Sequence, residues 1–170
     1  MLRGRAFRFG DHISTDQIAP GRLAHLRANL PELAKHVLED ADPTFAERVR
    51  PGDFVVAGVN FGLGSSREAA PAIIKLAGVS AILAKSCARI FFRNAINVGL
   101  PVLICDTDGI ADGDVLEADL AASTVRDASN GLVLTFGRIP EVMRLILDEG
   151  GLVAYIRKHG SLRLPQTSAG

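Results

Sequence analysis

Phe54-Val55-Val56-Ala57-Gly58, Val79-Ser80-Ala81-Ile82-Leu83-Ala84 and Pro101-Val102-Leu103-Ile104-Cys105 are three short apolar runs in the middle of the chain. Runs of this length, rich in aliphatic residues and bounded by Gly or Pro, read as strands buried on both faces. Helical spacing lies between them. One helix is expected from about Arg67 to Leu76, closed by Gly78, and a second over Cys87–Asn97, ending near Gly99. Strand, helix, strand, helix, strand is the order of an α/β layer, because a parallel partner needs a crossover long enough to hold a helix.

Working outward, Gly4–Arg8 reads as a short strand that ends at the turn-forming Gly10-Asp11-His12. Residues 11–31 lack clean periodicity and read as a long loop with at most a helical turn. Long ordered loops in small domains are usually functional. Pro31–Leu38 fits one face of a helix, and Thr44–Arg48 adds another turn. On the other side, Gly113–Ala118 and Gly131–Phe136 look like β segments joined by a polar stretch. Pro140 opens a helix stopped by Gly150-Gly151, and a further turn runs through Tyr155 to His159. Residues 1–164 are expected to form one domain, with 165–170 a disordered tail.

At 170 residues and 48% hydrophobic, the chain can bury a sizeable core. Lys plus Arg (19) balances Asp plus Glu (19), so there is no global field to hold nucleic acid or an anionic membrane. The absence of Trp weakens any base-stacking reading. There is no apolar signal-peptide stretch and no run of roughly 18 apolar residues to span a bilayer. A cytoplasmic protein is expected. Cys87 and Cys105 sit in hydrophobic surroundings and read as buried free thiols, and two isolated cysteines cannot hold an iron–sulfur cluster alone. His25, His36 and His159 are scattered without metal-ligand spacing.

The sharpest chemical feature follows the first apolar run: Asn60-Phe61-Gly62-Leu63-Gly64-Ser65-Ser66-Arg67-Glu68. Glycines let the backbone turn tightly and approach a ligand closely. Two hydroxyls and a guanidinium then fall at a helix N-terminus, where free N–H groups favour negative charge. Such a site suits a small carboxylate, and it suits a serine asked to lose its proton. A capping box from Ser65 to Glu68 explains the same residues without any ligand. Pro71 bears on the choice. With Ser65 as the cap, Pro71 would be the sixth helical residue and cost a hydrogen bond. A helix starting nearer Arg67 puts Pro71 in the first turn and leaves both serines in the loop. The segment lacks the Gly-Lys-Ser/Thr of a Walker loop and the glycine spacing of a dinucleotide fingerprint.

Asp11-His12-Ile13-Ser14-Thr15-Asp16, with Arg22 and Arg27 downstream, is either a second anion-binding wall or a solvated turn capped by Asp11 or Asp16. Ala84 through Asn97 places Ile90, Phe91, Asn94 and Asn97 at helical spacing, which a core helix explains.

These segments share a family. Asn60–Arg67, Ala84-Lys85-Ser86 through Asn94-Ala95-Ile96-Asn97, Gly99-Leu100-Pro101 and the Asp-x-Ile-x-Thr-Asp pattern of Asp11–Asp16 resemble the small subunits of 3-isopropylmalate dehydratases. Homoaconitase, 2,3-dimethylmalate dehydratase and the swivel domain of aconitase are wider relatives, and the match runs from about residue 5 to 158. The resemblance implies an α/β protein of the swivelling β/β/α type that docks on a large subunit. That partner would carry a [4Fe–4S] cluster, this chain holding no cofactor of its own. The implied reaction is dehydration of a 2-hydroxy di- or tricarboxylic acid and rehydration at the neighbouring carbon, as in leucine biosynthesis.

Carried over position by position, Ser65 matches the serine that abstracts the carbon-bound proton, and Asp11 the loop aspartate that supports the site. Ser66 and Arg67 match residues that bind substrate carboxylate. His25-Leu26-Arg27-Ala28 lies where relatives carry a substrate-choice loop, which makes Arg27 a better second carboxylate contact than Arg22. Leu63, Ala69, His25 and Ala28 depart from the usual residues of the family. Two other readings remain beside the enzyme: a non-catalytic carboxylate-binding or assembly module, and a stand-alone phosphate-binding enzyme.

Overall fold

The computed structural model describes residues 1–161, and the expected disordered tail at 165–170 lies outside them. A seven-stranded sheet runs in the order β4-β3-β2-β1-β5-β6-β7. Its strands are β1 (Leu2–Arg8), β2 (Phe54–Val56), β3 (Ala81–Ala84), β4 (Val102–Ile104), β5 (Val115–Asp119), β6 (Thr124–Asp127) and β7 (Val133–Thr135). Pairing is parallel from β1 through β4 and antiparallel from β1 through β7 on the other side. β1 changes role along its length: Leu2–Arg5 pair with β5, and Ala6–Arg8 pair with β2.

The helices are α1 (Thr15–Ile18), α2 (Leu30–Ala34), α3 (Phe45–Arg48), α4 (Ala69–Leu76), α5 (Arg89–Asn97), α6 (Glu141–Asp148) and α7 (Leu152–His159), with a 3-10 turn over Gly21–Leu26. β2 and β3 are buried on both faces, as parallel strands under helices must be, while Ile104 of the edge strand β4 is exposed. Val55, Ile82 and Ala84 face one core with Phe7, Phe45 and the inner sides of α2, α4 and α5. Phe54, Val56, Ala81 and Leu83 face the other, against β5, β6 and α6. Ile96, Ile146 and Tyr155 join α5 to α6 and α7.

The loop read over residues 11–31 with at most a helical turn holds both α1 and the 3-10 turn, and three further elements differ from the sequence expectation. The polar stretch between the last two expected β segments contains a strand, β6. Only Val125 gives its inner face an apolar signal, because the other inward residue is the buried Asp127. The helix expected over Pro31–Leu38 stops at Ala34, and Leu38 takes φ +55° while its N–H donates to the Ile18 carbonyl of α1. That long-range bond overrides local propensity. The turn expected at Tyr155–His159 is a full helix, seated by Tyr155 on Ile96 and Ile146. Cys105 is buried as expected, whereas Cys87 is half-buried; they form no disulfide.

No helix among the described residues is long and apolar enough to cross a membrane.

Candidate functional site

In a parallel layer the segments leaving the C-terminal ends of adjacent strands lie side by side, and ligands gather there. Here the segments after β1, β2 and β3 are laced together. His12 N–H donates to the Val59 carbonyl at 2.9 Å, Gly62 N–H to Ile13 at 2.7 Å, and Thr15 N–H to Leu63 at 2.8 Å. On the other side Phe61 N–H donates to Ser86 at 3.1 Å, Ala88 N–H to Phe61 at 2.9 Å, and Asn60 N–H to the Ser86 hydroxyl at 2.7 Å. The segment after β2 is therefore fixed from both flanks before the chain reaches Ser65.

Two glycines make that path possible. Gly62 has φ +78°, and a Cβ there would lie 2.3 Å from the Phe91 ring. Phe91 meets Phe61 edge-to-face, with centroids 5.3 Å apart, as an aromatic floor under the turn. Gly64 has φ +109° and passes so close to Thr15 that a Cβ would sit 3.1 Å from its hydroxyl.

Ser65 and Ser66 are exposed on the turn that follows. The Ser65–Glu68 capping box does not form: Glu68 is itself the N-cap residue of α4, and no side chain caps the helix. Pro71 is the third residue of α4, inside the first turn where its missing N–H costs nothing. Neither serine hydroxyl has a hydrogen-bond partner among the described residues. The capping box forms elsewhere, where Ser14 and Gln17 exchange bonds of 2.9 and 3.2 Å and start α1.

Arg67 is held from the first loop. Its guanidinium pairs with Asp16 at 2.5 Å and donates to the Ala19 carbonyl at 3.2 Å. Asp16, read from sequence as part of a second anion-binding wall or as a turn cap, is thus the residue that aims Arg67. No local pattern could have shown this, because the partners are 51 positions apart in the chain.

Two cavities flank the turn. The larger, about 810 Å³, is lined by Ser65, Ser66 and Arg67 together with Arg27 and the start of α4. The smaller, about 230 Å³, shares those three residues and adds Thr15, Asn94 and Arg89. Arg89, which the sequence reading did not single out, has no ion-pair partner among the described residues. Arg22, by contrast, is bound to Asp40 at 2.7 Å and lines neither cavity.

Asp11 and His25 line neither cavity. Asp11 accepts the Val59 N–H at 2.8 Å and so fixes the start of the Val59–Asn60 turn. His25 is exposed on the 3-10 turn. Beyond the site's rim, Lys85 pairs with Asp108 at 2.6 Å, which raises the lysine pKa and lowers that of the aspartate.

No group of three or more His, Cys, Asp or Glu side chains converges among the described residues. Burial pushes the Cys87 thiol up to about 12 and the Cys105 thiol, beside Asp106, up to about 11.

The aconitase C-terminal domain family matches residues 14–106, which contain every residue that lines the two cavities. A 3-isopropylmalate dehydratase small subunit of Archaeoglobus fulgidus is 63% identical over 161 residues, covering 95% of this chain and 98% of its own. The chain belongs to the 3-isopropylmalate dehydratase small-subunit family. A second such small subunit, from Thermotoga maritima, is 59% identical over 95% of this chain and 98% of its own length. The crystal structure of a 3-isopropylmalate dehydratase from Methanocaldococcus jannaschii superposes with a TM-score of 0.89 at 45% identity, covering 94% of this chain and 95% of that one. A homoaconitase small subunit of Methanothermobacter thermautotrophicus is 50% identical, covering 93% of this chain and 92% of its own. Membership of this hydro-lyase family and the fold read from sequence therefore agree with the structure.

Proposed function

We propose that this chain supplies the proton-transfer and carboxylate-binding half of the active site of a two-subunit dehydratase acting on 3-isopropylmalate. The observation that carries the reading is the Ser65-Ser66-Arg67 turn. It presents two unpartnered hydroxyls beside a guanidinium already aimed by Asp16, at the uncapped N-terminus of α4. In this reading Arg67 and Arg27 hold substrate carboxylates as charge-assisted, two-pronged donors. Ser65 Oγ takes the carbon-bound proton as an alkoxide, stabilised by the open N–H groups and the helix field. Ser66 donates to a bound carboxylate. Asp11 acts at one remove, by holding the backbone of the turn that leads to these residues.

A [4Fe–4S] cluster carried by a large subunit would supply the other half, Lewis-acid chemistry toward the substrate hydroxyl. The site's exposure supports such a division: both serines stand open to solvent. Arg27 in the larger cavity and the 50% identical homoaconitase small subunit favour a second reading, a substrate with an additional carboxylate.

The test is reconstitution with the large subunit and comparison with Ser65→Ala. The variant is expected to lose roughly 10²–10⁴-fold in kcat, the usual range for a removed general base, with KM little changed. Normal kcat in the variant would refute the role of Ser65. Tight binding of malate-type diacids by the isolated chain, without turnover in the complex, would favour a carboxylate-binding module.

A further inference from the structure

The smaller cavity is bounded by the N-terminus of α5, and that end of the helix is uncapped. Its N-cap residue is Ala88, which has no side-chain oxygen to offer. The first bond of the helix runs from Phe92 N–H to the Ala88 carbonyl at 2.9 Å. The N–H groups of Arg89, Ile90 and Phe91 therefore have no acceptor among the described residues, and all three residues line the cavity. Thr15 lines it too. Thr15 is only 2% exposed, yet its hydroxyl has no hydrogen-bond partner among the described residues. A buried hydroxyl left without a partner costs free energy that a ligand can restore. Gly64 leaves that hydroxyl uncovered, since a Cβ there would come within 3.1 Å of it. The unpaired Arg89 guanidinium and the Asn94 amide complete the lining with Ser65, Ser66 and Arg67, and no Asp or Glu belongs to it.

Free N–H groups at a helix start, two guanidinium groups and an uncommitted buried hydroxyl are all donors, and a cavity of donors without carboxylates takes an anion. At about 230 Å³ it is smaller than the roughly 300 Å³ at which pockets begin to hold a whole ligand. It holds one end of a ligand, and Ser65, Ser66 and Arg67, shared by both cavities, join it to the larger one. We infer that the smaller cavity is a carboxylate subsite, in which Arg89, the N-terminus of α5 and the Thr15 hydroxyl hold one carboxylate of the diacid while Arg27 holds the other in the larger cavity. Arg89 is then a substrate-binding residue on a different strand–helix connection from Arg67. The inference rests on the carboxylate-binding reading of Arg67 and Arg27.

The experiment uses the complete two-subunit enzyme and calorimetric binding of malate, lactate and 3-hydroxypropanoate, the last two each lacking one of malate's carboxylates. Arg89→Gln is expected to weaken malate about tenfold to hundredfold, the range for a hydrogen bond to a charged group. It should weaken one monoacid by a similar factor and leave the other unchanged, because only one carboxylate meets Arg89. Arg89→Lys keeps the charge without the two-pronged geometry and should recover part of the loss. Thr15→Val keeps the packing volume and removes the hydroxyl, and is expected to weaken malate and the same monoacid by about fivefold. Unchanged malate affinity in Arg89→Gln, or an equal loss for both monoacids, would overturn the assignment. So would weaker association of the two subunits with malate binding intact, which would make Arg89 a contact for an acidic residue of the partner. Arg67→Gln tests the underlying reading. If malate affinity is unchanged there, the carboxylate-binding reading fails, whereas a loss there with none in Arg89→Gln sinks the subsite alone.

Discussion

The two sides of β1 are built from the same chain and differ in what they do with backbone. On the parallel side, β1 to β4, the segments leaving the strands converge at one edge, bond to one another and pass through tight spaces such as Gly62 against Phe91. On the antiparallel side, β5 to β7, successive strands are joined by turns at alternate ends, and their glycines stand in open space, as at Gly131 and Gly137. Parallel connection brings three loops to one edge and so can assemble a site from residues distant in sequence. Hairpin connection spreads its turns between two edges. The candidate residues of the cavities all belong to the first side or to the helices that cross it.

That contrast can be broken by substitution. The largest stability effect is expected from Gly62→Ala, which combines a positive φ with overlap on Phe91. Strain of roughly 1–2 kcal/mol and overpacking of roughly 1–3 kcal/mol together predict a loss of about 3 kcal/mol. Differential scanning calorimetry should show Tm falling by roughly 10 °C for a chain of this size. A drop no greater than that of a loop glycine would mean the turn is not tightly constrained.

Asp16→Asn probes how the two loops cooperate. Asp16 is largely exposed, so its pair with Arg67 contributes little to folding and Tm should barely move. In the complete enzyme, an Arg67 no longer aimed should raise KM by about fivefold, the equivalent of about 1 kcal/mol. Steady-state kinetics distinguishes this from a stability defect, which would lower active-enzyme concentration without changing KM.

On the antiparallel side, Gly131→Ala should cost about 1 kcal/mol, because φ is +79° but nothing lies nearby. Thermal unfolding of the two glycine variants side by side measures the contrast directly.

Asp127 supplies the smallest and most condition-dependent effect. Burial in the sheet, and then the neighbouring Asp114, raise its pKa, and no donor among the described residues reaches its Oδ2. A carboxyl whose folded pKa is raised binds its proton more tightly in the native state. Its contribution is therefore fully present below the unfolded pKa and is lost as pH rises through the folded value. Denaturant unfolding from about pH 4 upward should show this decline, and Asp127→Asn should flatten it while keeping the bond from Ser129 N–H to Oδ1. A wild-type profile without that slope would contradict the raised pKa.

Much of the fold was legible because its signals are local. Phe54–Val56, Ala81–Ala84 and Val102–Ile104 are apolar runs that no solvent-exposed segment would carry, and Gly78 and Gly99 mark where the intervening helices stop. Pro71 located the start of α4 correctly, because a missing N–H is tolerated in only one turn of a helix. β6 was missed for an equally physical reason: burying Asp127 removes the alternation by which a strand is recognised. α2 was overextended because the bond that ends it comes from α1, which no window around Leu38 contains.

The sequence by itself determined the parallel layer, the family and the turn that offers Ser65, Ser66 and Arg67. Each is encoded in contiguous residues, where spacing and residue type act directly on the backbone. Only the tertiary structure decided that Asp16 aims Arg67, that Arg22 is taken by Asp40, and that Arg89 and Asn94 line a cavity beside the charged turn. Those facts depend on which loops leave the same edge of the sheet. Such proximity is created by strand pairing between distant segments and has no signature in any one of them.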